Sequence, residues 1–455
     1  MIQVITLEKG EELDMDSMER GGEIPPEALQ AAAEIIADVR ARGDAALADL
    51  SERFDKVRPE TFRVSEETMA KAIDELDPDV VDALDEAFVS ISAFHENDVP
   101  QSTFKIAGDG SMVGYKVEPI DSVGLYVPGG RACYPSTVIM NATPAKMAGV
   151  RRVVMVTPPN PDGSIDPALL YAAEICGVDE VYAVGGAQAV AALAFGTESI
   201  PRVDKIVGPG NVYVAAAKSL VAGVVGIDLQ AGPSEALILA DEYSIPEFVA
   251  TDLLSQAEHD PNACCYLVMV GDAILDDVLA EIQEKMENSP RREIIEKSLE
   301  DNGLVVVCPD IDLAIDTANA IAPEHLQIMT EDAMEVMGRI HSAGAIFVGP
   351  WSPIAIGDYI AGPSHTLPTS GTARFSSPLN TLDFLKRTSV ISYTYSALER
   401  DAGPVVKIAE REGFSMHALS VSERIELMQE ALVQADEVVE ADEATEAEDA
   451  GEAAL

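Results

Sequence analysis

The sequence predicts an α/β protein with two doubly wound Rossmann-like domains and smaller domains at the N- and C-terminal ends. Three observations predict this fold. From residue 122 onward, short β-rich runs alternate with helical patterns. Each helical pattern is long enough to cross back over a parallel sheet. A second series of strands after residue 260 indicates a second unit of the same kind.

The N-terminal region lacks this alternation. Residues 1–21 are expected to form an extension, and helical patterns follow at roughly 26–54 and 65–99. We assign residues 22–125 to the first part of a main α/β domain and residues 239–378 to its second part.

The first strand series defines a second Rossmann-like domain, residues 126–238. Its strands are predicted at 122–127, 152–157, 180–184, 204–207 and 236–240. Helical patterns separate them, as right-handed β–α–β crossovers require.

The second series supplies the strands of the main domain, predicted at 264–270, 304–307, 326–329 and 345–348. A Gly-, Pro- and Ser-rich loop at 349–378 is longer than most connections, which favours a functional role. Residues 379–434 are expected to form a C-terminal domain, and residues 435–455 a disordered acidic tail.

Composition is typical of a globular protein. Of the 455 residues, 47% are hydrophobic, enough for substantial cores. No apolar run reaches about 18 residues, and the acidic N-terminus resembles neither a signal nor a transit peptide, so we expect a cytoplasmic location and no membrane contact. The five cysteines show no C-x-x-C spacing, which argues against a disulfide framework and a thiolate zinc site.

The formal net charge of −49 is extreme. The tail carries nine acidic residues between Asp436 and Glu452, so most of the charge belongs to the rest of the chain. Such a surface is halophile-like, because hydrated carboxylates keep a protein soluble in concentrated salt. It disfavours binding to nucleic acid or to an anionic membrane.

Two side chains that can bind metal are predicted at a helix end. Ser244 and Glu247 form a capping-box pattern and Pro261 ends the helical pattern, which places Gln256 and His259 in the last turn. Residues three apart share a helix face, so both can point into a cleft. The alternative is that they cap backbone carbonyls.

Other candidates lie in turns and loops. Glu324 and His325 follow a proline, and an adjacent acid and imidazole can act as general base and water-activating group or form a polar turn. Asp358 has an equally plausible turn role. His365 lies in the long loop, and His417 in the loop just before the last helix.

Two glycine-rich turns join a strand to a helix, at 184–188 and 208–211, although no G-x-G-x-x-G is present. Such turns let a ligand approach the backbone and offer helix N-terminal N–H groups to an anion. They can equally be tight turns with glycine for geometry. Tyr126, at the end of the first strand, can flank the same crevice.

Seven longer segments carry a family resemblance. They are VGLYVPGGRACYPSTV (123–138), VGPGNVYVAAAK (207–218), AGPSEALILAD (231–241), LLSQAEHDP (253–261), APEHLQ (322–327), GDYIAGPSHTLPTSGTARFSSPL (357–379) and EGFSMH (412–417). Together they closely resemble histidinol dehydrogenase, over nearly the whole chain apart from the acidic tail.

The resemblance implies a zinc ion ligated by Gln256, His259, Asp358 and His417, with His417 supplied by the partner subunit of a domain-swapped homodimer. Such a mixed nitrogen and oxygen set suits a borderline metal. It also implies that Glu324 and His325 form the catalytic pair. The implied L-histidinol contacts are Ser234, Gln256, His259, His325, Asp358, Glu412 and His417, and the implied NAD contacts are Tyr126, Gln188 and Asn211.

The implied reaction is the four-electron oxidation of L-histidinol to L-histidine through the aldehyde, with two NAD. His325 takes the hydroxyl proton while hydride leaves for NAD, and Glu324 then activates water for the second oxidation. A base must be neutral, so activity should fall as this imidazole is protonated.

Five positions depart from the family pattern: Arg131, Cys133, Gln230, Ile354 and Ser364. None is an implied ligand or catalytic residue.

Two alternatives remain: a zinc and NAD enzyme of this fold that oxidises another amino alcohol or a sulfonate, and a metal-binding paralogue without turnover. Ser234 and Glu412 favour histidinol, and the complete ligand set with the Glu324–His325 pair argues against loss of turnover.

Overall fold

The computed structural model describes residues 2–15, 18, 24–129, 133–229 and 232–452, with side chains as far as residue 441. The chain forms two compact units. The first comprises Met1–Val99 and Pro119–Lys386, and the second Pro100–Glu118 and Arg387–Leu455.

Fourteen strands lie within the described residues. In chain order they are β1 Gln3–Thr6, β2 Thr103–Ile106, β3 Met112–Pro119, β4 Ser122–Tyr126, β5 Arg152–Thr157, β6 Glu180–Ala183, β7 Lys205–Val207, β8 Gly226–Ile227, β9 Glu235–Ala240, β10 Cys264–Val270, β11 Gly303–Cys308, β12 His325–Ile328, β13 Ala345–Val348 and β14 Leu385–Ser392.

The α-helices of the described residues are α1 Pro26–Arg42, α2 Asp44–Phe54, α3 Glu66–Ile73, α4 Pro78–His95, α5 Pro135–Met147, α6 Pro167–Ile175, α7 Gly186–Phe195, α8 Val212–Val221, α9 Pro246–Ala257, α10 Leu275–Glu287, α11 Arg292–Asn302, α12 Ile311–Ile321, α13 Ala333–Met337, α14 Ile354–Tyr359, α15 Tyr395–Arg411 and α16 Ser415–Glu452. Within this part of the chain, none combines the length and apolarity needed to cross a membrane.

The first unit contains a five-stranded parallel sheet in the order β6-β5-β4-β7-β8. The chain order reverses between β4 and β7, where such sheets usually bind ligands beyond the carboxyl ends of the strands. Its strands are almost entirely buried because helices cover both faces.

The same unit contains a six-stranded parallel sheet in the order β1-β11-β10-β9-β12-β13. Helices α12 and α13 cover one face, and α9, α10 and α11 the other. The α/β class with parallel sheets is therefore confirmed.

All nine predicted strands are present, three of them with the predicted bounds. Their apolar runs are short and buried on both faces, the pattern by which parallel strands are recognised. One strand belongs to a different sheet than predicted. Glu235–Ala240, grouped with the first series, lies at the centre of the six-stranded sheet between β10 and β12.

The helices of the N-terminal region differ from their predicted assignment to the main domain. Helices α1 and α2 pack on one face of the five-stranded sheet, and α4 packs on the other. The predicted extension instead contributes β1, which pairs with β11 at the edge of the six-stranded sheet. Apolar helix faces are buried wherever a sheet face is open, and sequence distance does not decide which.

The second unit contains a three-stranded sheet in the order β14-β3-β2, with β2 and β3 antiparallel. The C-terminal domain therefore also contains residues 100–118, which the predicted bounds of 379–434 left out. Helix α16 begins at Ser415, so His417 lies in its first turn and not in a loop as predicted. The helix continues to Glu452, where disorder was predicted.

Candidate active site

Glu324 and His325 lie at the amino edge of the six-stranded sheet. His325 opens β12, and Glu235 opens the neighbouring strand β9. Helix α9 runs antiparallel to the strands, so its carboxyl end brings Gln256 to the same edge. This is the edge opposite to the one where open α/β sheets usually bind ligands.

The backbone of Glu235 orients both members of the pair. Its N–H donates to Glu324 Oε2 at 2.8 Å, and its carbonyl oxygen lies 3.0 Å from His325 Nδ1. Because a carbonyl oxygen only accepts, Nδ1 carries the hydrogen. His325 Nε2 has no hydrogen-bond partner among the described residues, which leaves it available to a substrate.

Burial and mutual charge control the protonation of this pair. Glu324 is 6% and His325 5% exposed, and Glu324 Oε2 lies 3.6 Å from His325 Nδ1. Burial raises the pKa of the Glu324 carboxyl to about 7. Burial disfavours a proton on His325, but the carboxylates of Glu324 and Asp358 outweigh it and raise the pKa of the imidazole to about 9.

Sequence reasoning missed Glu235. The signal was present, because it is the one acidic residue in the otherwise apolar strand EALILA.

Gln256 is a buried amide at the end of α9. It is 2% exposed, and its Nε2 has no hydrogen-bond partner among the described residues. Such an amide leaves a buried polar atom without compensation, which is costly unless a ligand completes it. Amide oxygen and nitrogen are interchangeable by rotation, so either can face the site.

His259 follows two residues after the last residue of α9, where its N–H donates to the Gln256 carbonyl at 3.2 Å. Its exposed side chain lines a cavity of about 590 Å³ together with Glu258, Arg291 and Tyr359.

The predicted capping box at the start of α9 is wrong, because Ser244 Oγ instead accepts from Asp241 N and donates to the Met329 carbonyl.

Asp358 lies near the end of the short helix α14, and its Oδ1 is 3.6 Å from His325 Nε2. Burial would raise the pKa of this carboxyl, but the nearby imidazoles of His325, His365 and His259 lower it overall. His365 Nδ1 lies 2.9 Å from the Asp358 carbonyl oxygen, and its Nε2 lies 3.4 Å from Thr137 Oγ1 on α5. The long loop thus places Asp358 close to His325. Through His365 it also contacts α5, a helix that packs on the five-stranded sheet.

The first unit supplies three of the four expected metal ligands: Gln256, His259 and Asp358. Among the residues that the structure describes, no group of three or more His, Cys, Asp and Glu side chains is arranged to hold a metal ion. The uncompensated amide of Gln256, the Asp358 carboxylate and the His259 imidazole nevertheless offer, as a set, the mixed oxygen and nitrogen donors that suit a borderline cation.

Two expected substrate contacts belong to the second unit. Glu412 follows the end of α15, and the His417 ring lies 5.2 Å from that of Phe414. Both are exposed within that unit. Ser234, another expected substrate contact, directly precedes Glu235 in the first unit, and its carbonyl accepts from Cys264 N.

The three expected NAD contacts lie around the carboxyl edge of the five-stranded sheet. Tyr126 ends β4, is 3% exposed and accepts a hydrogen bond from Gly186 N at 3.0 Å. Burial raises its pKa to about 12, so the phenol stays neutral. Gln188 is buried in α7, whereas Asn211 is exposed and caps α8 through Tyr213 N and Val214 N. The strand-order reversal between β4 and β7 brings Tyr126 and the turn before Asn211 together.

The departures from the family pattern do not remove site residues. Cys133 lines the cavity beside His259, Ile354 is buried at the start of α14, and Ser364 Oγ donates to the Met140 carbonyl. Arg131 and Gln230 lie outside the described residues.

Comparison with known proteins decides the family. A family model described as "Histidinol dehydrogenase" matches residues 19–425. The chain belongs to the histidinol dehydrogenase family. It is 48% identical over 389 residues to histidinol dehydrogenase of Bacillus cereus, covering 86% of this chain and 90% of that protein. It is 49% identical over 390 residues to that of Heliobacterium mobile, covering 85% and 91%.

A solved histidinol dehydrogenase has the same fold. The crystal structure of the enzyme from Elizabethkingia anophelis superposes with a TM-score of 0.88 at 33% identity, covering 94% of this chain and 99% of that one. Membership in the histidinol dehydrogenase family makes this chain an oxidoreductase of histidine biosynthesis.

Proposed function

We propose that this chain oxidises L-histidinol to L-histidine in two NAD-dependent steps within one site. The observation that carries the proposal is the buried Glu324–His325 pair, which the backbone of Glu235 orients and in which His325 Nε2 has no hydrogen-bond partner among the described residues. Buried titratable groups with opposed roles are typical of acid–base catalysis.

His325 receives the first proton. Its Nδ1 is committed to the Glu235 carbonyl, so Nε2 accepts the hydroxyl proton while hydride leaves the same carbon for NAD, which yields the aldehyde and NADH. This role requires a neutral imidazole, so activity should fall as His325 is protonated.

Glu324 serves the second oxidation. A carboxyl with a pKa of about 7 exchanges protons readily at neutral pH. As the carboxylate it takes a proton from water while the resulting hydroxide adds to the aldehyde. The hydrate anion then gives a hydride to a second NAD, which yields histidine and a second NADH. Burial of the pair limits exchange of the aldehyde with bulk water.

Zinc is part of this proposal. Gln256, His259 and Asp358 would hold it, with His417 contributed by a second copy of the chain in a domain-swapped homodimer. When bound, the cation would orient the amino and imidazole groups of histidinol.

The dimer follows from the same reasoning, because Glu412 and His417 belong to a separate unit and their expected role is to complete the site of another subunit. NAD would lie at the carboxyl edge of the five-stranded sheet, where Tyr126, Gln188 and Asn211 surround two glycine-rich turns.

The test is NADH production by the purified full-length protein in high salt with L-histidinol. We expect two NADH for each histidine formed. A folded, zinc-loaded dimer that forms no NADH with histidinol would refute the proposal. NADH with another amino alcohol or a sulfonate would then favour the alternative substrate, and no NADH with any of them the paralogue without turnover.

A further inference from the structure

Two buried charges hold the turn between β7 and α8. Lys218 Nζ donates to the Gly208 carbonyl at 2.8 Å, and Asp228 Oδ2 accepts from the Gly208 N–H at 2.7 Å. Lys218 and Asp228 also form an ion pair with each other, with side chains only 4% and 1% exposed. The carbonyl and the N–H of Gly208 are therefore each hydrogen-bonded to a side chain of opposite charge.

Stability alone does not explain such a pair. Taking two charges out of water costs about as much as their attraction returns, so a buried ion pair adds little net stability but defines a geometry. Lys218 lies on a helix face that is otherwise apolar, among buried residues of α8. The rest of this chain keeps most of its charges on the surface.

The backbone of the Gly208 turn is also fixed by its conformation and by a close contact. Gly208 has φ +108°, and a Cβ there would lie 2.2 Å from the Tyr126 carbonyl oxygen. Tyr126 and Asn211, two of the proposed cofactor contacts, thus flank the residue that Lys218 and Asp228 hold. Asp228 follows β8 directly.

We infer that Lys218 and Asp228 are positioning residues for NAD: they fix the Gly208–Gly210 turn so that the dinucleotide can pack against its backbone. The inference rests on the proposed place of NAD at this turn. Neither side chain needs to touch the cofactor, since each acts through Gly208.

The test is the double variant Lys218→Met/Asp228→Asn, which leaves no unpaired buried charge. We expect the KM for NAD and the Kd for NADH to rise about tenfold, while the KM for histidinol stays within about twofold, because only the cofactor turn is loosened. NADH binding is measured by fluorescence titration without histidinol.

The matched control is Arg152→Met/Glu180→Gln, which removes a bidentate ion pair at the amino edge of the same sheet. It should lower Tm without changing the KM for NAD. If the first double variant does not fold, Asp228→Glu carries the test, because it keeps the charge and displaces the carboxylate by one methylene.

Two further variants locate the cofactor itself. Asn211→Asp keeps the helix cap but adds a negative charge against the phosphates, and Gln188→Leu removes a polar contact; both should raise the KM for NAD. If they do and the Lys218/Asp228 variant does not, the positioning role is wrong. Equal rises in both KM values would also overturn it. If none of these variants changes the KM for NAD, the proposed cofactor position is wrong as well.

Discussion

At the scale of single residues, one backbone position organises the chemistry. Glu235 holds Glu324 through its N–H and His325 through its carbonyl, so the two side chains cannot exchange roles. Glu324 and His325 are therefore expected to serve different half-reactions.

The first prediction separates these half-reactions. Glu324→Gln keeps an oxygen that accepts from Glu235 N but cannot take a proton from water, so steady-state turnover should fall about 10²-fold or more. In a rapid-mixing experiment it should release one NADH per site, and not two. His325→Asn should release none, with bound zinc unchanged in both variants.

Two NADH per site from Glu324→Gln at an undiminished rate would contradict the assignment. Loss of zinc from His325→Asn would show that this residue ligates the metal.

The second prediction concerns His95, a buried imidazole outside the proposed site. It is 0% exposed, and neither ring nitrogen has a hydrogen-bond partner among the described residues. Burial lowers the pKa of this imidazole below its usual value of about 6.5. The unfolded chain therefore binds a proton near pH 6.5 that the folded chain resists, and stability is lost as the pH falls below that value.

His95→Leu removes this penalty, so its Tm relative to the wild type should rise as the pH is lowered from about 7.5 to about 5. The exposed His341→Leu serves as control and should show no such trend. A Tm difference for His95→Leu that does not change with pH would refute the prediction.

At the scale of elements, the glycine-rich turns are constrained by close contacts as well as by φ. Gly208 and Gly223 both have positive φ, one in the connection before α8 and the other in the connection after it. A Cβ at Gly208 would meet backbone at 2.2 Å, whereas nothing lies within 4 Å of one at Gly223. The two positions separate backbone strain from steric overlap.

The third prediction uses this pair. Gly208→Ala and Gly223→Ala both incur the cost of positive φ, but Gly208→Ala must also displace backbone, so it should lower the unfolding free energy by about 2 kcal/mol more. Thermal or denaturant unfolding in high salt measures the difference. Equal losses would show that the sheet edge yields easily at Tyr126.

At the scale of the whole molecule, the net charge of −49 dominates. Like charges spread over a compact surface repel each other, and salt screens them: the Debye length falls from about 10 Å at 0.1 M to about 3 Å at 1 M. From this charge we propose that the protein has a halophile-like surface, adapted to concentrated salt.

The fourth prediction follows from screening. Tm should rise as KCl is increased from about 0.1 M to about 2 M, and NaCl should act alike, because the effect depends on ionic strength. Sucrose, which carries no charge, serves as control and should not reproduce the full rise. A Tm that is unchanged or lower in high salt would contradict a surface destabilised by its own repulsion.

The sequence by itself determined the local structure. All nine predicted strands, the helices between them and the two glycine-rich turns follow from short-range patterns, because burial on both faces and turn geometry leave marks within a few residues. The adjacency of Glu324 and His325 was equally visible. The local prediction was wrong at Ser244, which bonds to Asp241 and Met329, residues that a capping pattern does not consider.

Only the tertiary structure decided which elements share a sheet and which atoms meet. Strand β1 pairs with β11, although the two are far apart in the sequence. Helices α1, α2 and α4 pack on the five-stranded sheet. Lys218 and Asp228 hydrogen-bond to Gly208, and no sequence pattern marks these residues. Their choice depends on the free energy of burying whole faces and charges together. That energy depends on the complete arrangement, and no short stretch of sequence contains it.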